Sequence, residues 1–215
     1  MARAARGLVL AKAGVHALAL LPLVQLGGQI RQEWLTGSGG LGADPVAAIE
    51  HRLGEWALRF LLIALAVTPL RQLTGQPVLT RFRRLLGLYA FAYASLHLAA
   101  YLVLDLGGYW TQVFEEIGKR PYITVGFAAW LLLVPLAATS TAAAMRRLGR
   151  RWIQLHRLVY AVGALAVLHL WWIKSAKNAF AEPLVYAAVL ALLLGWRVAW
   201  AWRRRFSVRR TAAVR

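Results

Sequence analysis

Six apolar stretches, each near the roughly 20 residues a helix needs to cross a bilayer core, divide this chain into spans and short charged connections. They cover about 8–26, 53–70, 84–104, 122–139, 152–173 and 183–202. The hydrophobic share is 60% and the mean hydropathy +0.55, whereas soluble domains are about 45–50% apolar. An all-α integral membrane bundle of six helices is therefore expected. Pro69, Pro135 and Pro183 fall near run ends, where a lost backbone bond costs least. The first run follows Arg3, Arg6 and Lys12 in the manner of a signal peptide. No small-x-small cleavage site follows "LALLPLVQLGGQI", and the run is long enough to span, so it reads as a retained helix. Cysteine is absent, which excludes disulfides, thiolate-ligated metals and thiol chemistry.

The formal charge of +18 suggests nucleic acid until the positions of the charges are read. With the N-terminus inside and the spans alternating, the inner segments hold Arg3, Arg6 and Lys12, then Arg71, Arg81, Arg83 and Arg84. They also hold Arg146, Arg147, Arg150 and Arg151, and finally Arg203, Arg204, Arg205, Arg209, Arg210 and Arg215. The outer segments keep only Arg31, Arg52, Lys119, Arg120, Lys174 and Lys177, and every carboxylate from Glu33 to Glu182 lies outside or at an outer helix end. Lys and Arg accumulate in cytoplasmic loops, so both termini are expected in the cytoplasm, and the partner of the basic charge is the bilayer rather than nucleic acid. "GSGGLG", Gly37 to Gly42, matches the dinucleotide fingerprint, but that motif needs a preceding strand. Between two spans it reads as a flexible outer turn, so the chain carries no dinucleotide-binding domain of its own.

His97, His156 and His169 stand inside apolar runs. An imidazole in hydrocarbon leaves two polar nitrogens that cost several kcal/mol unless something takes them up. His97 lies about seven residues short of the outer end of the third run, and His169 about four short of the outer end of the fifth. At about 1.5 Å per residue the two share a depth in the outer half. Two neutral imidazoles facing each other across a bundle make an axial pair for one b-type haem. Bonds to neighbouring helices are the metal-free alternative, and a zinc site lacks third and fourth ligands at that depth.

His156 lies thirteen residues before His169, near the inner end, and on an ideal helix it points about 140° away. The third run offers Arg84 at the matching position, so a second stacked haem on His156 is the weaker reading; His16 is the other intramembrane candidate. An outer haem alone is poorly wired to an inner donor across a core about 30 Å thick. His156 and Arg157, with Arg81, Arg83 and Arg84, form a basic inner site suited to a flavin phosphate, or simply obey the positive-inside rule. On the second helix His51, Glu55 and Arg59 share one face at i, i+4 and i+8; Arg59 is a candidate for a haem propionate.

"DPVAAIEHRLGEWALRFLLIALAVTPLR", "RRLLGLYAFAYASLHLAAYL", "KRPYITVGFAAWLLLVPLAATS" and "LGRRWIQLHRLVYAVGALAVLHLWW", in that order within Gly14 to Trp202, resemble the MsrQ (YedZ) family. These are haem-binding membrane subunits of bacterial periplasmic methionine sulfoxide reductase systems, in the ferric-reductase-like transmembrane group that includes the membrane parts of NADPH oxidases. The resemblance implies a b-type cytochrome of the inner membrane that also carries FMN. It implies electrons drawn from respiratory quinone or a cytosolic flavin reductase. Their destination would be a periplasmic molybdopterin-dependent subunit, MsrP, that repairs oxidised methionine. The histidines the family implicates map onto His97, His156 and His169, and the second third-helix histidine of NADPH oxidases is missing.

The expected organisation is a tail at 1–7, a haem-binding membrane domain at 8–202 and a basic tail at 203–215. The chain passes electrons outward and does not itself reduce methionine sulfoxide. A ferric or small-molecule reductase is the rival in the same class. A proton-coupled transporter using the histidines as relays is the rival outside it, and a lack of intramembrane carboxylates is held against that reading. The outer loops 27–51 and 105–121 hold most acidic residues and are the expected docking surfaces.

Overall fold

A computed structural model describes residues 2–109, 111–176 and 178–212; Lys177 and Arg215, assigned above to an outer and an inner segment, lie outside them. The described residues are helical, with α1 at Ala2–Thr36, α2 at Pro45–Thr74, α3 at Thr80–Ala100 and α4 at Gln112–Lys119. There follow α5 at Pro121–Ala138, α6 at Ala142–Leu148, α7 at Arg150–His156, α8 at Leu158–Ser175 and α9 at Ala181–Ala212. Six helical segments are long and apolar enough to cross a membrane, and each overlaps one of the expected runs nearly end to end. The chain is an all-α, six-span membrane bundle.

The boundaries differ from the apolar runs for local reasons. Helix α2 begins at Pro45, because Asp44 caps it, its Oδ1 accepting from the Ala47 N–H at 3.0 Å, and proline is pre-set for the first helical position. It ends where Gly75 takes the left-handed conformation at φ 69° and donates to the Arg71 carbonyl. Helix α1 runs on past Gly27 and Gly28 to Thr36, so the expected loop 27–51 shrinks to 37–44. There Gly37, Gly40 and Gly42 have positive φ, and the Glu33 carboxylate accepts from the Gly39 N–H at 2.7 Å. A Cβ on Gly39 would collide with the Gln29 carbonyl. The glycines therefore serve a tight turn, and no strand precedes them. The second expected loop, 105–121, contains α4.

The fifth span tightens at its inner third. Arg157 donates to Gln154 at 3.2 Å and Tyr160 to Arg157 at 3.1 Å, both three-residue bonds, which separate α7 from α8. The ideal 100° per residue that set His156 about 140° from His169 does not carry across that turn.

Two helical hairpins form the centre: α2 with α3, and α5 with α8. Phe60, Leu61, Ala64, Ala90, Tyr93 and Val162 are among their buried residues. The flanking helices α1 and α9 turn exposed Leu18, Val24 and Leu192 outward, as a lipid-facing surface does. They are tied in by polar bonds, the glue available where lipid is as apolar as leucine. Tyr93 Oη donates to the Ala19 carbonyl at 2.6 Å, and His16 Nδ1 meets Tyr89 Oη at 2.7 Å. On the other flank Arg197 donates to the Leu65 carbonyl, Trp196 Nε1 to Gln72, and Arg59 Nε to Tyr186 Oη. One end of the bundle carries the carboxylates, and the other the arginines of the 71–84 and 146–151 connections.

Tyr93 is almost wholly buried, and its hydroxyl, like that of Tyr89, is a direct polar tie from α3 to α1. Tyr93→Phe is expected to cost about 1 kcal/mol, the net worth of one such bond. The check is the thermal unfolding midpoint of the detergent-purified protein.

Candidate cofactor site

Between the two hairpins, toward the acidic end, lies a cavity of about 360 Å³, within the range of cofactor pockets. Its room comes from small side chains: Gly54, Ala57, Ala90 and Ala94 on one hairpin, Gly126, Ala129 and Ala166 on the other. His97 from α3 and His169 from α8 enter it from opposite sides. Their ring centroids are 6.1 Å apart and the planes cross at 72°. The shared depth expected from the sequence is thus a direct confrontation.

Each imidazole is held the same way. His97 Nδ1 donates to the Glu50 carbonyl at 2.9 Å, and His169 Nδ1 to the Tyr122 carbonyl at 2.7 Å. A carbonyl only accepts, so the proton sits on Nδ1 and the Nε2 lone pair is left for a ligand. Glycine lets the rings lie so close to the helices. A Cβ on Gly126 would stand 2.6 Å from His169 Nδ1, and one on Gly54 would stand 3.3 Å from His97 Nδ1.

A pattern in numbering underlies this. His97 and His169 are 72 positions apart, and so are the carbonyls at Glu50 and Tyr122 and the two glycines at 54 and 126. The same offset joins Ala57 to Ala129, Leu61 to Leu133, Ala94 to Ala166 and Leu98 to Leu170, all lining the cavity. The α2–α3 hairpin and the α5–α8 hairpin are therefore two copies of one unit, facing each other. The offset could have been found in the sequence by comparing the third run with the fifth. It would have pointed to Gly54 and Gly126, which a search for chemically reactive side chains passes over.

The donor set limits what can sit here. A metal–imidazole bond is about 2.0–2.1 Å long, and a ring centre lies about 1.1 Å beyond its nitrogen. Two imidazoles facing across one metal thus place their centroids about 6.2 Å apart, close to the spacing found. Among the described residues no group of three or more His, Asp or Glu side chains could hold a metal. A metal here must bring its other ligands with it, and a flat tetrapyrrole does so while filling a slot lined by glycine and alanine. The residues present fit a haem.

The other expected residues lie apart. His156 is on the far side from the acidic end, its Nε2 3.1 Å from Thr139 Oγ1 and its ring stacked on Trp152 at 3.9 Å. Arg157 is exposed, and neither lines the cavity. Arg59 does not line it either. Its guanidinium bonds Glu55 at 2.9 Å and Tyr186 and lies over Trp56, and it reaches the cavity only through Glu55, which does line it. Because α2 starts early, Glu50 joins Glu55 as a helical residue of a spanning segment. The expected lack of intramembrane carboxylates is corrected on this point. With His51, Asp105, Arg120 and Lys174 they make the acidic-end mouth of the cavity polar.

Comparison with known proteins agrees with this geometry. The family described as ferric reductase like transmembrane component matches residues 53–167. A protein of Xanthomonas oryzae pv. oryzae named protein-methionine-sulfoxide reductase heme-binding subunit MsrQ is 64% identical over 215 residues, covering 100% of this chain and 96% of that one. A protein of the same name from Bordetella pertussis is 55% identical over 176 residues, covering 82% of this chain and 85% of its own length. The chain belongs to the MsrQ family. No solved structure matches it.

Gly126 offers a test of the packing. Gly126→Ala is expected to cost about 1–3 kcal/mol, the range for overpacking, since its Cβ cannot coexist with the present His169 ring. Gly54→Ala is expected to cost less, because 3.3 Å needs only a small adjustment. Unfolding midpoints of the two variants beside the parent protein check the order.

Proposed function

We propose that this chain is the b-type cytochrome of a methionine sulfoxide reductase system, receiving electrons within the membrane and delivering them to a periplasmic molybdopterin-dependent partner, MsrP. The observation that carries the reading is the facing pair His97 and His169, each with Nδ1 tied to a carbonyl and Nε2 turned to a slot that fits a haem. Bound there, a haem supplies one-electron chemistry at an iron that cycles between two oxidation states. The chain's own residues hold the two imidazoles in one tautomer and one orientation. They also surround the slot with aliphatic side chains, Leu61, Leu98, Leu133 and Leu170, which exclude water and limit solvent rearrangement when charge changes. The polar mouth would face the acidic side chains of the cofactor, with Lys174 and Arg120 as the cations that line it; Lys174 is paired there with Glu182 at 2.6 Å and Arg120 with Glu116 at 2.8 Å.

The charge asymmetry supports an inner-membrane placement, with the arginine end and both termini in the cytoplasm and the acidic end facing the periplasm. On that placement residues 1–7 and 203–215 are cytoplasmic tails of the membrane domain at 8–202. The inner cluster supports an anionic cofactor such as FMN. Arg83 is close enough to act electrostatically on both His156 and Arg197, and that end has no carboxylate. His156, with Arg157, is assigned there, and as a second haem ligand only in the alternative that two haems bind. A ferric or small-molecule reductase would use the same histidines and differ in needing no protein acceptor.

The reduced-minus-oxidised absorption spectrum of the purified protein is expected to be that of a b-type cytochrome. His97→Ala and His169→Ala should each abolish it, while His156→Ala should keep it. A parent protein with no haem after haem-replete expression would end the proposal. Alkaline phosphatase fused at residue 40 or 108 is expected to be active, and fused at residue 76 or 149 inactive.

A further inference from the structure

The mouth of the cavity breaks the repeat. Deeper in the slot the two copies carry the same residues, as at Gly54 and Gly126, Ala57 and Ala129, Ala94 and Ala166. Tyr101, by contrast, is answered 72 positions on by Ile173, and both line the cavity. Each stands four residues after a histidine, His97 or His169, and so lies one helical turn nearer the acidic end on the same face. One hairpin offers a hydroxyl at the level where the other offers only an aliphatic side chain. The hairpin fold does not require that hydroxyl, since the second copy does without it.

Tyr101 Oη is buried and has no hydrogen-bond partner among the described residues. A hydroxyl in that state has given up its bonds to water and gained none in exchange. The tyrosines within α3 are not left so: Tyr93 is bonded to Ala19 and Tyr89 to His16. The helix also widens directly after Tyr101. Over Tyr101–Asp105 the backbone bonds span five residues, the Leu106 N–H donating to the Tyr101 carbonyl at 3.0 Å. Such wide turns are rare and frequently stand at functional sites.

The neighbours define what this hydroxyl can meet. Asp105, Glu116, Arg120 and Tyr122 are close enough to act on it electrostatically. The cations of the mouth are already engaged: Arg120 with Glu116 at 2.8 Å and with Tyr122 Oη at 3.2 Å, and Lys174 with Glu182 at 2.6 Å. Glu50 Oε1 also lines the cavity buried and without a partner among the described residues. Whether a carboxyl group donates or accepts turns on its charge, whereas the phenol is neutral and carries a proton to donate. A carboxylate is the acceptor that a lone donor binds most strongly.

We propose that the Tyr101 hydroxyl is a cofactor-binding group that donates to one propionate of a haem held by His97 and His169. The inference rests on the cytochrome reading above and names the protein group that meets the cofactor's acidic edge. Because Ile173 cannot donate, that edge is anchored through the α2–α3 hairpin at this level and not through its copy. The hydroxyl offsets part of the propionate's negative charge, and so favours the reduced, ferrous state.

The test compares the haem-loaded parent with Tyr101→Phe, and with Tyr109→Phe at an exposed tyrosine of the same end. In Tyr101→Phe the propionate bending band of the resonance Raman spectrum is expected to shift and the midpoint potential to fall. Tyr109→Phe is expected to match the parent in both. A Raman band and a potential unchanged in Tyr101→Phe would overturn this inference alone; a parent protein without haem would overturn the cytochrome reading and the inference with it. A second readout needs no cofactor. In protein made under haem limitation, Tyr101→Phe is expected to leave the unfolding midpoint at or above that of the parent, since no protein bond is lost. A fall as large as that of Tyr93→Phe would show that the chain itself holds the hydroxyl, and would overturn the proposal.

Discussion

Two hydrogen bonds, from His97 to the Glu50 carbonyl and from His169 to the Tyr122 carbonyl, are the constraint around which the bundle is arranged. An imidazole in a low-dielectric interior cannot leave a nitrogen unmet without penalty. Each bond satisfies one nitrogen, fixes the tautomer and aims the other. The acceptors are backbone carbonyls four residues before Gly54 and Gly126, one turn from the surface that must yield to the ring. Helix geometry thus links three positions in each hairpin: a carbonyl, a glycine one turn later, and a histidine on the partner helix. Changing the helix spacing disturbs all three.

That linkage explains why the centre of the molecule is built twice. A hairpin with one such triplet presents a single imidazole to an apolar face; two of them, related by a 72-residue offset, present a pair. The alanines and glycines that let the pair approach would leave a void in an ordinary core, with its loss of packing. A flat cofactor fills the slot and restores those contacts. The outer helices then do different work. They are fastened by single polar contacts such as Tyr93 to Ala19 and Arg197 to Leu65 rather than by extensive packing, which leaves space between α1 and α2.

Much of this was legible in the chain. Bilayer thickness sets span length, so six apolar runs gave six helices. Span length in turn gave depth, which paired His97 with His169. Helix ends were less legible, because hydropathy marks where hydrocarbon begins and not where capping ends a helix. Asp44 and Pro45 therefore moved Glu50 into α2, ahead of the run that began at residue 53. The spacing put Arg59 on one helix face with Glu55, and the two pair there. The turn of Arg59 toward Tyr186 depends on α9, 127 residues away, which no local pattern encodes. The glycines were visible as letters but silent as chemistry, since their role is to be absent from a contact.

The position of the cavity near one end has an electrical consequence. His97 is 17 residues beyond the start of α3, about 25 Å of helix at 1.5 Å per residue, so most of the bilayer lies on its basic side. A charge crossing the whole membrane exchanges about 2.3 kcal/mol with each 100 mV of potential. An electron passing between the cavity and the polar mouth traverses little of that field, so this step is nearly indifferent to membrane voltage, while one arriving from the basic end would cross most of it.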